Sequence, residues 1–125
     1  MIAFDAFKPT EGTPIYQQIL LYIKRGVVAG TIQNGDELPS RRVLSALLGI
    51  NPNTVQKAFH MLEEETLIES QAGAKSVMKI SEKQIAKLRE DLVREDIRTI
   101  TDSLRQMGIT REEAIRLINQ CWEER

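Results

Sequence analysis

The stretch Gly49-Ile50-Asn51-Pro52-Asn53-Thr54-Val55-Gln56-Lys57-Ala58-Phe59 constrains this chain more than any other. Asn51 can accept a hydrogen bond from the free amides of a first helical turn and reads as an N-cap. Pro52 follows at the first helical position, where a missing N–H costs nothing. Val55, Ala58, Phe59 and Leu62 then recur at helical spacing as one apolar stripe. The opposite side carries Asn53, Thr54, Gln56, Lys57 and His60, which can hydrogen-bond a base edge or a phosphate, and none of them is acidic. A helix opening with such groups suits the second helix of a helix-turn-helix, whose N-terminal residues enter the major groove. Taken alone it suits an ordinary amphipathic surface helix equally well, so the flanking segments decide.

Upstream, Thr13-Pro14 opens a first helix by the same cap-then-proline logic, with Ile15, Ile19, Tyr22, Ile23 and Val27 as its buried stripe and Gly30 as its stop. Asn34-Gly35-Asp36 signals a turn, and Glu37-Leu38-Pro39 an extended approach. Ser40 caps a short second helix with Val43, Leu44, Leu47 and Leu48 expected inside, and Gly49 supplies the tight turn into the third. Downstream, Leu67-Ile68-Glu69-Ser70 and Lys75–Ile80 flank Gln71-Ala72-Gly73-Ala74 and predict a β-hairpin. The expected fold is therefore mainly α with a small β-hairpin: a winged helix-turn-helix over residues 1–80. Residues 1–12 form an irregular arm that can pack through Phe4 and Phe7. At the wing tip Gly73 and Lys75 can lie against a phosphate or reach the minor groove, while the hairpin also closes the small core.

The motifs Pro14-Ile15-Tyr16-Gln17-Gln18-Ile19, Gly35-Asp36-Glu37-Leu38-Pro39-Ser40-Arg41-Arg42 and Leu47 through Val55 together resemble the N-terminal domain of GntR-type bacterial transcription regulators. The Asn-Pro-Asn-Thr-Val core and the short C-terminal part look most like the YtrA subfamily. The resemblance implies that Ser40, Arg42, Asn51, Asn53, Thr54, Gln56 and Gly73 face DNA. It also implies dimerisation through the C-terminal region and, as a target, a transport operon. Two departures stand out: Arg41 replaces the family's usual glutamate, and Ala74-Lys75-Ser76-Val77 replaces a commoner basic-Gly-Thr-Phe run in the wing.

Beyond residue 80 the pattern changes. Ser81 with Gln84 forms a capping box. Ile85, Leu88, Leu92, Val93, Ile97, Ile100, Leu104 and Met107 follow at helical spacing until Gly108. Thr110 with Glu113 opens a last helix carrying Ala114, Ile115, Ile118, Cys121 and Trp122. Two helices cannot bury two full stripes between themselves, so residues 81–125 are expected to dimerise. Ile85, Leu88, Leu92, Ile97, Ile100, Leu104, Met107, Ile115, Ile118 and Trp122 are the expected interface. The other way to cover these stripes is to fold back on the winged domain in a monomer. Two helices can hardly enclose the ~300 Å³ or more of a usual ligand pocket, so an effector is expected to be absent or at the dimer interface.

Several function classes are excluded or disfavoured. One cysteine and one histidine allow neither an intramolecular disulfide nor a zinc site built from those ligands, and no cofactor is expected. There is no 18-residue apolar run for a membrane span, and no basic-then-apolar leader, so a cytoplasmic protein is expected. No catalytic constellation appears, so an enzyme is disfavoured. Net charge is −1, yet from Leu38 to Leu62 the charged residues are Arg41, Arg42 and Lys57, with no acid. Two arginines at a helix start oppose its dipole and suggest a phosphate partner, although Arg42 pairing with Glu63 or Glu64 is the structural alternative. Asn53, Thr54, Gln56 and Lys57 are the base-edge candidates; Asn51 and Pro52 shape the helix start. Double-stranded DNA and a second copy are the expected partners. The reading reached is a homodimeric, sequence-specific DNA-binding repressor acting on an inverted repeat. A winged-helix adaptor that meets an acidic protein is the other class left open.

Overall fold

The computed structural model describes residues 1–71, 73 and 75–124; Ala72 and Ala74 of the expected wing turn lie outside the described residues. The elements run α1 (Ile15–Ala29), β1 (Glu37–Leu38), α2 (Arg41–Leu48), α3 (Pro52–Glu64), β2 (Ile68–Gln71), β3 (Lys75–Met78), α4 (Glu82–Gln106) and α5 (Arg111–Glu123). They divide into two compact units, Met1–Arg89 and Glu90–Arg125. The first is a winged helix-turn-helix, and the boundary falls nine residues later than the expected one after residue 80. The reason is packing: Ile85 and Leu88, expected at a dimer interface, lie half-buried against the winged core.

That core is built from α1, α2, α3 and the sheet. Ile19, Ile23, Leu38, Leu44, Val55, Phe59, Leu62 and Met78 are its most deeply buried large side chains. The N-terminal arm belongs to it: Ile2, Phe4 and Phe7 are buried, Phe4 stacks on Tyr22 at 5.1 Å, and the Tyr22 hydroxyl donates to the Ala3 carbonyl at 2.8 Å. The sheet has three antiparallel strands in the order β1-β3-β2, not the expected two. Glu37-Leu38 pairs with Val77 and Ser76, so the extended approach to α2 is itself a strand.

Two further expectations change. Pro14, not Thr13, is the N-cap of α1, and no side chain caps it. Gln18 holds this entry instead, its amide donating to the carbonyls of Thr10 at 2.9 Å and Thr13 at 2.8 Å. On α2, Leu44 and Ser45 are the buried positions, whereas Val43 and Leu47 are 52% and 61% exposed. An eight-residue helix packed mainly on α3 needs only a narrow inner stripe, and the flanking apolar positions stay outside.

The local stops are as the chemistry asks. Gly49 closes α2 at φ +65°, a left-handed geometry that costs glycine little. α3 ends in a Schellman motif: the Leu67 amide donates to the Leu62 carbonyl and the Thr66 amide to that of Glu63. The left-handed residue there is Thr66, at φ +60°, where a side chain with a Cβ costs about 1–2 kcal/mol. α4 opens with the expected capping box: the Ser81 amide donates to Gln84 Oε1 at 2.8 Å, and the Gln84 amide to Ser81 Oγ at 3.2 Å. Among the described residues no helix is long and apolar enough to cross a membrane.

Candidate nucleic-acid interface

Asn51 Oδ1 accepts a hydrogen bond from the Asn53 amide at 2.8 Å, with Pro52 in the first turn. This cap fixes the start of α3, and burial of Val55, Ala58, Phe59 and Leu62 fixes its rotation. Asn53, Gln56, Lys57 and His60 are thereby left exposed and Thr54 half-buried. The side-chain amides of Asn53 and Gln56 have no partner among the described residues, so each offers a donor and an acceptor to whatever meets this face. The other two exposed groups are engaged. Lys57 Nζ sits 4.0 Å from the Tyr16 ring centroid, and His60 Nε2 lies 2.8 Å from Glu64 Oε1.

Ser40 Oγ caps α2 by accepting from the Val43 amide at 3.2 Å. The two arginines that follow differ. Arg41, expected at a phosphate, is held inside the fold: its guanidinium lies 2.7 Å from Glu63 Oε1 and 5.0 Å above the Phe59 ring. Glu63 in turn accepts from the Ser70 hydroxyl at 3.4 Å, so one carboxylate joins the start of α2, the end of α3 and β2. The structural alternative considered for Arg42 is thus taken by Arg41. Arg42 is exposed, without a partner among the described residues.

In the wing, Gly73 has φ +78° and Lys75 begins β3 opposite Gln71; both are exposed. Ser40, Val43, Gly73 and Lys75 line one cleft of about 250 Å³, which brings the start of α2 and the wing tip side by side. Lys79 already has a partner: Glu69 Oε2 is 2.7 Å away, and that hydrogen bond and charge raise the Lys79 pKa above its ordinary value. The uncommitted polar and basic groups are therefore Asn53, Gln56, Arg42 and Lys75. Sequence reasoning missed Tyr16 as the partner of Lys57 and matched Glu63 to Arg42 where it meets Arg41; both contacts run across elements, and no spacing rule links the partners.

The second unit offers a different surface. No residue from 90 to 124 is buried. Val93, Ile97, Ile100, Met107, Ile115, Leu117, Ile118 and Trp122 are large exposed apolar side chains, with Trp122 79% exposed. Leu92 and Leu104 are half-buried. Open apolar grooves of about 410 and 440 Å³ run between α4 and α5, sharing Ile100, Leu104, Ala114 and Ile118. Cys121 and Trp122, from the apolar stripe of the last helix, line the first of them and are exposed. Among the described residues no group of three or more His, Cys, Asp or Glu could hold a metal ion.

A winged helix-turn-helix whose third helix presents polar amides is the reading head of a class of transcription regulators. Comparison with known proteins narrows this. The family described as bacterial regulatory proteins, gntR family, matches residues 15–76. The HTH-type transcriptional repressor YtrA of Bacillus subtilis (strain 168) is 44% identical over 73 residues, which are 58% of this chain and 54% of that protein, so the match spans about half of its length. A GntR family transcriptional regulator from Listeria monocytogenes superposes with a TM-score of 0.79 at 30% identity, covering 90% of this chain and 98% of that one. YtrA from Sulfolobus acidocaldarius, a GntR-family transcription factor, gives 0.52 at 29% identity, covering 98% and 97%. The chain belongs to the GntR family of bacterial transcription regulators, whose members are regulators and not enzymes. Two of the proteins it resembles carry the name YtrA.

Proposed function

We propose that the chain is a homodimeric, sequence-specific DNA-binding repressor that acts in the cytoplasm on an inverted-repeat operator. The observation that carries the reading is the free outward face at the start of α3, where Asn53 and Gln56 stand exposed and unpartnered on a capped, rigidly held helix. Side-chain amides of this kind pair bidentately with adenine, so Asn53 and Gln56 read bases, with half-buried Thr54 beside them. Arg42 and Lys75 contact phosphates on either side, and Ser40 and Gly73 line the cleft between those contacts. Asn51 and Pro52 set the helix start. Lys57 acts from its place on the Tyr16 ring, and Arg41 serves by holding the fold.

The exposed apolar residues of the second unit support pairing of two copies through Leu92, Ile97, Ile100, Leu104, Met107, Ile115, Ile118 and Trp122. Ile85 and Leu88 leave that interface, because the winged core already uses them. Any small-molecule effector would share the grooves with the second copy. The repressor role, and a transport operon as target, follow the likeness to YtrA.

Selection from random duplexes, followed by titration of enriched against random DNA, tests the reading. An enriched site with dyad symmetry is expected, with half-sites one helical turn, about 34 Å, or a multiple apart. Enrichment without dyad symmetry overturns the dimeric part. No sequence preference at all overturns the regulator in favour of an adaptor.

A further inference from the structure

The recognition helix is not held only by its own core stripe. Thr66 sits at its Schellman position with φ +60°, where glycine or asparagine is the ordinary choice. Gln84, in the first turn of α4, reaches this residue twice: Nε2 donates to the Thr66 carbonyl at 3.1 Å and to its hydroxyl at 3.2 Å. The hydroxyl itself donates to the Glu65 carbonyl at 2.6 Å. The same Gln84 side chain uses Oε1 to cap α4 through the Ser81 amide. One side chain therefore closes the end of the helix that faces DNA and opens the helix that leads to the second unit. Apolar contacts of Ile85 and Leu88 press the first two turns of α4 on the winged core, but such contacts are non-directional and tolerate sliding. The hydrogen bonds of Gln84 are directional and supply the register that those contacts lack.

We propose that Gln84 is a positioning residue that fixes where α4 begins on the end of the recognition helix, and thereby sets the half-site spacing that two copies accept. This rests on the dimeric reading above. It also accounts for a β-branched residue at a left-handed position: the Thr66 hydroxyl and carbonyl are what the amide grips, and a glycine there would lose the hydroxyl.

Two variants separate clamp from cap. Gln84→Glu keeps an oxygen for the Ser81 amide but removes both donors to Thr66. Ser81→Ala removes the hydroxyl that accepts from the Gln84 amide and leaves the contact with Thr66. Each full-length protein is titrated against duplexes whose half-sites are moved apart one base pair at a time, and against a duplex with a single half-site. For Gln84→Glu, discrimination between adjacent spacings should fall roughly fivefold or more, the lower end of couplings between separate sites. Its affinity for the single half-site should stay close to that of the parent. Ser81→Ala should lower the thermal midpoint while keeping the parent's spacing preference. The inference is overturned if Gln84→Glu retains that preference, if Ser81→Ala flattens it equally, or if single-site affinity falls by the same factor as spacing discrimination. A parent protein without any spacing preference overturns the dimeric reading, and this inference with it.

Discussion

The winged unit and the C-terminal unit spend their apolar residues in opposite ways. In the first, eighteen apolar side chains among the described residues are buried, from Ile2 in the arm to Ile80 after the sheet. In the second, helices of ordinary amphipathic pattern expose Ile97, Ile100, Ile115, Ile118 and Trp122. The sequence stripes look alike, and periodicity does not distinguish them. What differs is what covers the stripes: α3 packs on α1, α2 and β2, while among the described residues α5 shares open apolar grooves with α4. An amphipathic helix gains most of its stability from what its apolar face packs against. The first unit therefore carries its own core, and the second leaves its apolar faces open.

The broadest test of this contrast is to cut the chain after Arg89. The fragment 1–89 should stay folded and sediment as a monomer. Its affinity for a full operator should fall by on the order of 10²–10⁴, the effective-concentration gain of a second linked reader. A fragment that dimerises as well as the whole chain breaks the comparison.

Aromatic truncations in each unit sharpen it. Phe59→Ala should cost about 3–5 kcal/mol of stability and unfold much of the winged unit, since the ring is buried and lies beneath Arg41. Trp122→Ala should leave the thermal midpoint of the winged unit in place but weaken dimerisation by ~2 kcal/mol or more, as expected for an interface tryptophan. Melting followed by circular dichroism and equilibrium sedimentation read the two effects separately. If Trp122→Ala melts the winged unit, the units are not independent in the way described.

Within the winged unit, readers and positioners should part. Gln56→Ala should relax preference at one base position by about 1–3 kcal/mol and leave random-sequence binding nearly unchanged. Arg42→Ala should weaken binding to every duplex and reduce the salt slope by ~0.9, one phosphate contact's worth. Equal losses on specific and random DNA for both variants would erase the division. The smallest effect belongs to Arg41→Met: roughly 1 kcal/mol of stability lost with its ring contact and part-exposed ion pair, and a salt slope unchanged. A flattened slope would return Arg41 to the phosphate-facing set.

What the sequence disclosed was local chemistry. The Asn51 cap, Pro52 in the first turn, the Ser40 cap and the Ser81–Gln84 box each involve residues within one helical turn, and all are present in the structure. What it withheld depends on distance along the chain. β1 has two residues, too few for any alternation to register, and its partners Val77 and Ser76 lie on the far side of α3. Arg41 meets Glu63 twenty-two positions away. Val43 and Leu47 fit an inner stripe by spacing, yet both stand exposed. Ile85 and Leu88 belong to the same apolar series as Ile97 and Ile100, yet join a different unit. The uncommitted groups on this face stand apart only because Lys57 and Arg41 have partners within the fold.

The arm beside β1 has a consequence for how such a protein behaves when crowded. A short sheet with bare strand edges is a template for aggregation. Here the Ile2 amide donates to the Glu37 carbonyl at 2.7 Å, so the arm occupies the outer side of β1, anchored by buried Ile2, Phe4 and Phe7. The opposite edge, β2, presents Glu69, Ser70 and Gln71, all exposed and polar. One edge is plugged by the chain's own beginning and the other is wetted. Neither edge of this sheet offers a bare apolar strand for another chain to pair with.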